Sequence, residues 1–124
     1  MAARVLVADD DLDVHELVND ILCISFKDVT VDRVLDTDSF RAKLLSTKNT
    51  YDLLLIASDM TDASGKDIIS ILLDEFSALV KKTAVIEETA ATERLDRSGA
   101  PLPLIKKPFS LDEFSSVVKK ICPL

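Results

Sequence analysis

Four apolar residues in succession, Leu53-Leu-Leu-Ile56, lie between Tyr51-Asp52 and the segment Ala57-Ser-Asp-Met-Thr-Asp-Ala-Ser-Gly65, and this short run constrains the fold more than any other stretch. A strand with one wet face alternates apolar and polar residues. An unbroken run bounded by turn residues suits a strand buried on both faces, as in parallel sheets covered by helices. Such a strand delivers its C-terminal end to the crevice where open α/β sheets hold their ligands. The residue at that end is Ala57, which offers a methyl group and no reactive atom.

The flanking sequence supplies the rest of such a sheet. Arg4-Val-Leu-Val-Ala8 reads as a first buried strand that breaks into Asp9-Asp10-Asp11. Val14, Leu17, Val18, Ile21, Leu22 and Ile24 then recur at helical spacing, with Asp13 and Glu16 placed as a capping box. Val29 to Leu35 alternates as a second strand, and Asp36-Thr-Asp-Ser supplies caps for a helix carrying Phe40, Leu44 and Leu45. Beyond Gly65, the residues Ile68, Ile69, Ile71, Leu72, Leu73, Phe76, Leu79 and Val80 predict one apolar helix ending at Lys81-Lys82, where cations suit the helix dipole. Thr83 to Ile86 is a fourth strand, cut short by Glu87 and Glu88. Ala90 to Arg97 fits only a short or irregular fourth helix, stopped by Gly99 and Pro101. Leu104-Ile105 is a brief fifth strand, and Ser110-Leu-Asp-Glu113 opens a last helix with Leu111, Phe114, Val117, Val118 and Ile121 inward. Strands alternating with helices through short loops imply right-handed crossovers and a doubly wound parallel sheet with helices on both faces.

Length and composition set limits on what can be built. A chain of 124 residues, 48% apolar, makes one domain with a real core and is too short for two. Cys23 and Cys122 sit in apolar helical patterns away from any C-x-x-C, so both are expected as reduced core thiols. The opening Met-Ala-Ala-Arg resembles no signal peptide and no apolar run reaches the length of a membrane span, which predicts a cytoplasmic protein. A formal charge of −7 without a basic cluster argues against a nucleic-acid surface.

In such a sheet the ends of strands one, three, four and five meet along one edge. That edge receives Asp9, Asp10 and Asp11, then Ala57 to Asp59, then Glu87 to Thr89, then Lys106 and Lys107. Oxygen ligands suit Mg²⁺, and an ammonium suits a phosphoryl oxygen. Two carboxylates about 4 Å apart at an effective dielectric of about 20 repel by roughly 4 kcal/mol, so this edge needs a cation or a retained proton.

Over essentially its whole length the chain resembles the receiver domains of two-component response regulators. The resemblance rests on Val5-Leu-Val-Ala-Asp-Asp10, on Tyr51-Asp-Leu-Leu-Leu-Ile-Ala57 with Gly65 eight residues on, and on Lys107-Pro108-Phe109. It implies a flavodoxin-like five-stranded parallel sheet of order 2-1-3-4-5. It also implies an acidic pair for Mg²⁺ at Asp9 and Asp10, and a lysine at Lys107 that contacts a phosphoryl group. The aspartate that accepts the phosphoryl group in that family would stand where this chain has Ala57. Asp59 falls where the family gives a backbone carbonyl to the metal, and its side chain is a further candidate ligand. The hydroxyl that senses the phosphoryl group maps to Glu88 or Thr89, depending on where a gap is placed. The aromatic switch position maps to Leu104, and the usual loop proline is Thr61. Several departures together favour natural degeneration over a single introduced Asp-to-Ala change, and Mg²⁺ binding is expected to be weak.

Plainer readings accompany these. Asp9-Asp10-Asp11 alone would be a solvated turn with a helix cap, Lys106-Lys107 ordinary surface charge, and Glu87 and Glu88 solvated charges at a frayed strand end. His15 reads as an exposed or partly packed helix residue rather than a ligand. Two function classes follow from the resemblance. One is a phosphorylation-independent interaction module with no enzymatic activity, docking a protein partner through the fourth-strand to last-helix face, such as a histidine kinase or a downstream output domain. The other is a receiver that still accepts a phosphoryl group, at Asp59 or because Ala57 is an introduced change. A flavodoxin-like ligand binder is a third, but no glycine-rich phosphate loop supports it.

Overall fold

The computed structural model describes residues 3–25, 28–47, 51–87, 102–106 and 110–121. Strands β1 (Ala3–Ala8), β2 (Val29–Val34), β3 (Leu53–Ala57), β4 (Thr83–Glu87) and β5 (Leu104–Lys106) form one sheet of order β2-β1-β3-β4-β5. Every neighbouring pair is parallel. The helices are α1 (Leu12–Ser25), α2 (Thr37–Thr47), α3 (Ile68–Glu75) and α4 (Leu111–Ile121), with a 3-10 helix over Ser77–Lys82. This is the doubly wound parallel sheet expected from the alternating pattern, in the flavodoxin-like order 2-1-3-4-5 that the resemblance implies. The expected helix at Ala90 to Arg97 lies outside the described residues.

Alternation along the strands divides the core into two layers. Leu6, Ala8, Leu54, Ile56 and Val85 face α2 and α3, where they meet Phe40, Leu44, Ile68, Ile71 and Leu72. Val5, Val7, Leu53, Leu55, Ala84 and Ile86 face α1 and α4, where they meet Val14, Val18, Leu22, Phe114 and Val118. All five residues of β3 are buried, as the unbroken apolar run requires.

The helix ends show which polar residues act as caps. Asp11, not Asp13, caps α1: its Oδ1 accepts the Asp13 N–H at 2.9 Å. The expected capping box was one turn fragment too late, because the helix already begins at Leu12. Asp36 Oδ1 accepts the Ser39 N–H at 2.7 Å at the start of α2. That bond from the Ser39 backbone holds the Asp36 carboxyl below its ordinary range. Ser110 Oγ accepts the Glu113 N–H at 3.1 Å at the start of α4, as the sequence predicts.

Four expectations are corrected. Leu17 and Ile24 of α1 are 45% and 75% exposed, and Leu45 of α2 is 66% exposed, so none of them belongs to the core. The buried stripe of α1 runs through Val14, His15, Val18, Ile21 and Leu22, a rotation that brings His15 inward to 1% exposure. Cys23 lies on the outer side of that stripe and is an exposed free thiol, while Cys122 is outside the described residues. The apolar helix after Gly65 is broken at Phe76, whose backbone (φ −133, ψ 46) is not helical. Phe76 is buried and meets Phe40 edge-on, with centroids 6.4 Å apart at 79°. An edge-to-face pair of this kind adds about 0.5–1.5 kcal/mol beyond area burial, which favours the break over a continuous helix.

Candidate functional site

The C-terminal ends of the strands converge as the topology requires. Ala8 pairs with Ile56, so Asp9 and Ala57 are the next residues on neighbouring strands. Ala57 pairs with Ile86, and Glu87 pairs with Lys106. Asp9 is 1% exposed, and its N–H donates to the Val34 carbonyl at 3.2 Å. Its Oδ1 accepts the Asp11 N–H at 3.0 Å, so one carboxylate oxygen serves the turn that launches α1. Asp10 and Asp11 are exposed.

Two features of this edge escaped the sequence reading. Glu87 does not fray: β4 continues through it, opposite Lys106, and it is 2% exposed. His15 reaches back from the first turn of α1, with Nε2 2.6 Å from the Asp9 carbonyl oxygen. A carbonyl can only accept, so Nε2 carries the proton of this bond. The signal for His15 was present in its spacing, since it lies three residues before Val18 and seven before Leu22 on the buried stripe. Glu87 gave no such signal, because a glutamate at a strand end is ordinarily solvated.

Ala57 itself is 1% exposed, a methyl group enclosed at the centre of the edge. Ser58 follows with its N–H donating to the Ile86 carbonyl at 3.1 Å, which ties the start of the next loop to β4. Asp59 is exposed. Leu104 is half-buried against the layer under α2 and α3, paired with Val85, so it acts as a packing residue. Lys107, Glu88 and Thr89 lie outside the described residues.

The loop from Met60 to Asp67 is knitted around Asp62. Asp62 Oδ1 accepts from the Ser64 N–H at 3.0 Å, the Ser64 hydroxyl at 2.6 Å and the Lys66 N–H at 2.8 Å. Gly65 turns the chain at φ 89, a left-handed backbone that a side chain would strain. Thr61 and Asp67 form an isolated antiparallel bridge across the base of the loop. Asp67 caps α3 by accepting the Ile69 N–H at 2.7 Å. From outside, Arg41 of α2 donates to Asp62 at 3.3 Å and to both oxygens of Glu75 at 3.0 Å. The Ser64 hydroxyl and then the Lys66 N–H lower the Asp62 carboxyl to a pKa of about 2.

Magnesium wants near-octahedral oxygen coordination and usually takes one or two carboxylates plus water or phosphate. Among the described residues no three His, Cys, Asp or Glu side chains gather closely enough to hold a metal ion. Asp9 already spends one oxygen on its turn, Asp10 and Asp59 point to solvent, and Ala57 has none to give. The described residues therefore do not fit a magnesium centre by themselves.

No family model matches the sequence, and no curated protein matches it. Solved structures that match the chain in fold include response regulator receiver domains. A response regulator receiver domain protein from Bacillus halodurans is 23% identical, with a TM-score of 0.71 and complete coverage of both chains. The chemotaxis response regulator of Vibrio cholerae is 15% identical, with a TM-score of 0.75, covering 98% of this chain and 99% of that one. The N-terminal domain of a response regulator/sensory box/GGDEF protein from Carboxydothermus hydrogenoformans is 15% identical, with a TM-score of 0.73, covering 95% and 92%. Among the described residues no helix is long and apolar enough to cross a membrane.

Proposed function

We propose that this chain is a degenerate receiver domain that works as a phosphorylation-independent protein-interaction module in signal transduction. The observation that carries the reading is Ala57: the residue ending the central strand, beside the buried Asp9 and one strand from Glu87, is an enclosed methyl group. Forming an acyl phosphate requires a carboxylate nucleophile, and a methyl group provides none. Asp59 stands two residues beyond the strand end with its side chain in solvent. Bringing it inward would mean undoing the Ser58 to Ile86 bond and shifting a loop held by Asp62 and Arg41.

The partner in this reading is a protein, a histidine kinase or an output domain, bound through the face from β4 to α4. A shallow hollow of about 270 Å³ between β5 and α4, lined by Leu104, Ile105, Lys106, Glu113, Ser116 and Val117, supports that choice. The domain itself carries no enzymatic activity, Mg²⁺ binds weakly, nucleic acid is not a ligand, and the protein is cytoplasmic.

Incubation with acetyl phosphate and Mg²⁺, read by intact mass, tests the reading. The expected result is an unmodified chain. A gain of one phosphoryl group mapped to Asp59 would overturn it in favour of a relocated acceptor.

A further inference from the structure

β3 lies between β1 and β4 in the sheet, so Ala57 at its end has a neighbouring strand on each side. Each of those strands leads into a buried carboxylate beside it, Asp9 at 1% exposure and Glu87 at 2%. Among the described residues these are the only buried carboxylates, and residue 57 stands between them. Asp9 gives one oxygen to the turn that launches α1. Glu87 is the last residue of β4.

The direction that Glu87 takes follows from the strand. Val85 lies in the layer under α2 and α3, and alternation turns Glu87, two residues on, to the same side. The Ala57 methyl belongs to that layer as well. On β5, Glu87 is paired with Lys106, which is exposed, so solvent lies on the β5 side and the enclosed direction is toward β3. A glutamate side chain is about as long as the roughly 4.8 Å between neighbouring strands, so its carboxylate reaches the space beside residue 57. A methyl group leaves that space free for it.

We infer that Glu87 is a built-in blocking residue: its carboxylate takes up the volume and the negative charge that a longer, acidic side chain at residue 57 would bring. The inference rests on the reading of Ala57 as an emptied acceptor position. A carboxylate restored there meets a fixed anion reaching across from β4, in an enclosed place where like charges repel strongly. A phosphoryl group on that carboxylate carries more charge still and is opposed harder. The position is thus closed twice, by the group missing at Ala57 and by the group present at Glu87, and supplying the first alone does not reopen it.

A double-mutant cycle tests the inference on the wild type, Ala57→Asp, Glu87→Ala and the chain carrying both changes, each unfolded in urea without metal. Ala57→Asp is expected to lower the folding equilibrium constant about a hundredfold when Glu87 is present, and by less than about tenfold when it is replaced. The same variants are then incubated with acetyl phosphate and Mg²⁺ and read by intact mass. In the double variant the carboxylate at position 57 attacks phosphorus, the bond from phosphorus to the acetyl oxygen breaks, and acetate leaves. That chain should gain one phosphoryl group at position 57, and Ala57→Asp alone should not. If Glu87→Ala fails to fold, Glu87→Gln, which keeps the shape and removes the charge, takes its place in both measurements. Additive losses of stability, or equal labelling of the single and double variants, overturns the inference. A wild type labelled at Asp59 would instead overturn the reading of the acceptor position, and the stability cycle would still decide whether Glu87 opposes a carboxylate at residue 57.

Discussion

His15 Nε2 donates to the backbone carbonyl of Asp9 across 2.6 Å, so the first turn of α1 grips the acidic loop from beneath. Among the described residues the other ring nitrogen, Nδ1, has no hydrogen-bond partner, and the ring is enclosed. This imidazole holds the backbone of the residue that sits beside Ala57.

Replacing that ring removes packing and a buried bond together. His15→Ala is expected to lower unfolding free energy by about 3 kcal/mol, combining a core cavity with an orphaned carbonyl. Urea denaturation measures the loss, and amide exchange at Asp11 and Asp13 should quicken with it. A change under about 0.5 kcal/mol, the range of ordinary surface substitutions, would show that His15 only fills space near a rigid loop.

Asp62 gives the loop after β3 an acid limit. Its carboxyl titrates at about 2 in the folded chain against an ordinary 3.8. A group depressed in this way contributes stability above its unfolded value, and that contribution is lost as the pH falls through the folded value. Amide exchange over residues 60–67 should therefore loosen between about pH 4 and pH 2. Asp62→Asn should remove that pH step, and Arg41→Ala should diminish it. An acid step unchanged in Asp62→Asn would assign it to another carboxylate.

The central strand was legible because an unbroken apolar run has few homes, and Leu53–Ala57 begins and ends where the pattern places it. Helix phase was harder to read. Leu17 and Ile24 are as hydrophobic as their neighbours, and only the packing of α1 on β1 decides that Val14, His15 and Val18 face inward instead. Propensity likewise gave no reason to break a helix at Phe76, since the break serves a tertiary contact with Phe40. Glu87 was misread for the converse reason: its burial depends on the register that sets it opposite Lys106. Asp62 was passed over because a single loop aspartate looks like any other until Arg41 and Ser64 are brought to it.

Tyr51 provides an alkaline counterpart that can be watched directly, because it is the only tyrosine and the chain has no tryptophan. Burial, then the hydrogen bond to Asp32, pushes its phenol above the ordinary 10.0. A raised folded value means stability that is complete below pH 10 and declines as the pH climbs beyond it. Phenolate absorbance should stay flat past the normal titration range and then appear together with unfolding. Tyr51→Phe should flatten the alkaline decline and cost about 2 kcal/mol at neutral pH, the usual worth of a hydrogen bond to a charged group. Ordinary titration near pH 10 without unfolding would mean that the ring is wet.

Restoring a carboxylate at the strand end gives a sharper test of the metal question. Ala57→Asp sets a third acidic side chain in an enclosed position next to Asp9, and repulsion of roughly 3 kcal/mol should destabilise the variant without metal. Millimolar Mg²⁺ should recover much of that loss in the variant by binding only the folded state, and should leave the wild type nearly unchanged. Equal stabilisation of both proteins would show that the acidic pair suffices without a carboxylate at residue 57.

All four strand pairings are parallel, and that has a kinetic consequence. No two neighbouring strands are joined by a hairpin, so every pairing must first close a long crossover, and the entropy of that closure is lost before any contact offsets it. β1 lies between β2 and β3 and is the one strand that both early pairings share. Its backbone is finished first during synthesis yet must wait for Val29 to find a partner. β3 emerges third of the five strands, and its pairing with β1 creates the edge on which β4 and then β5 must add.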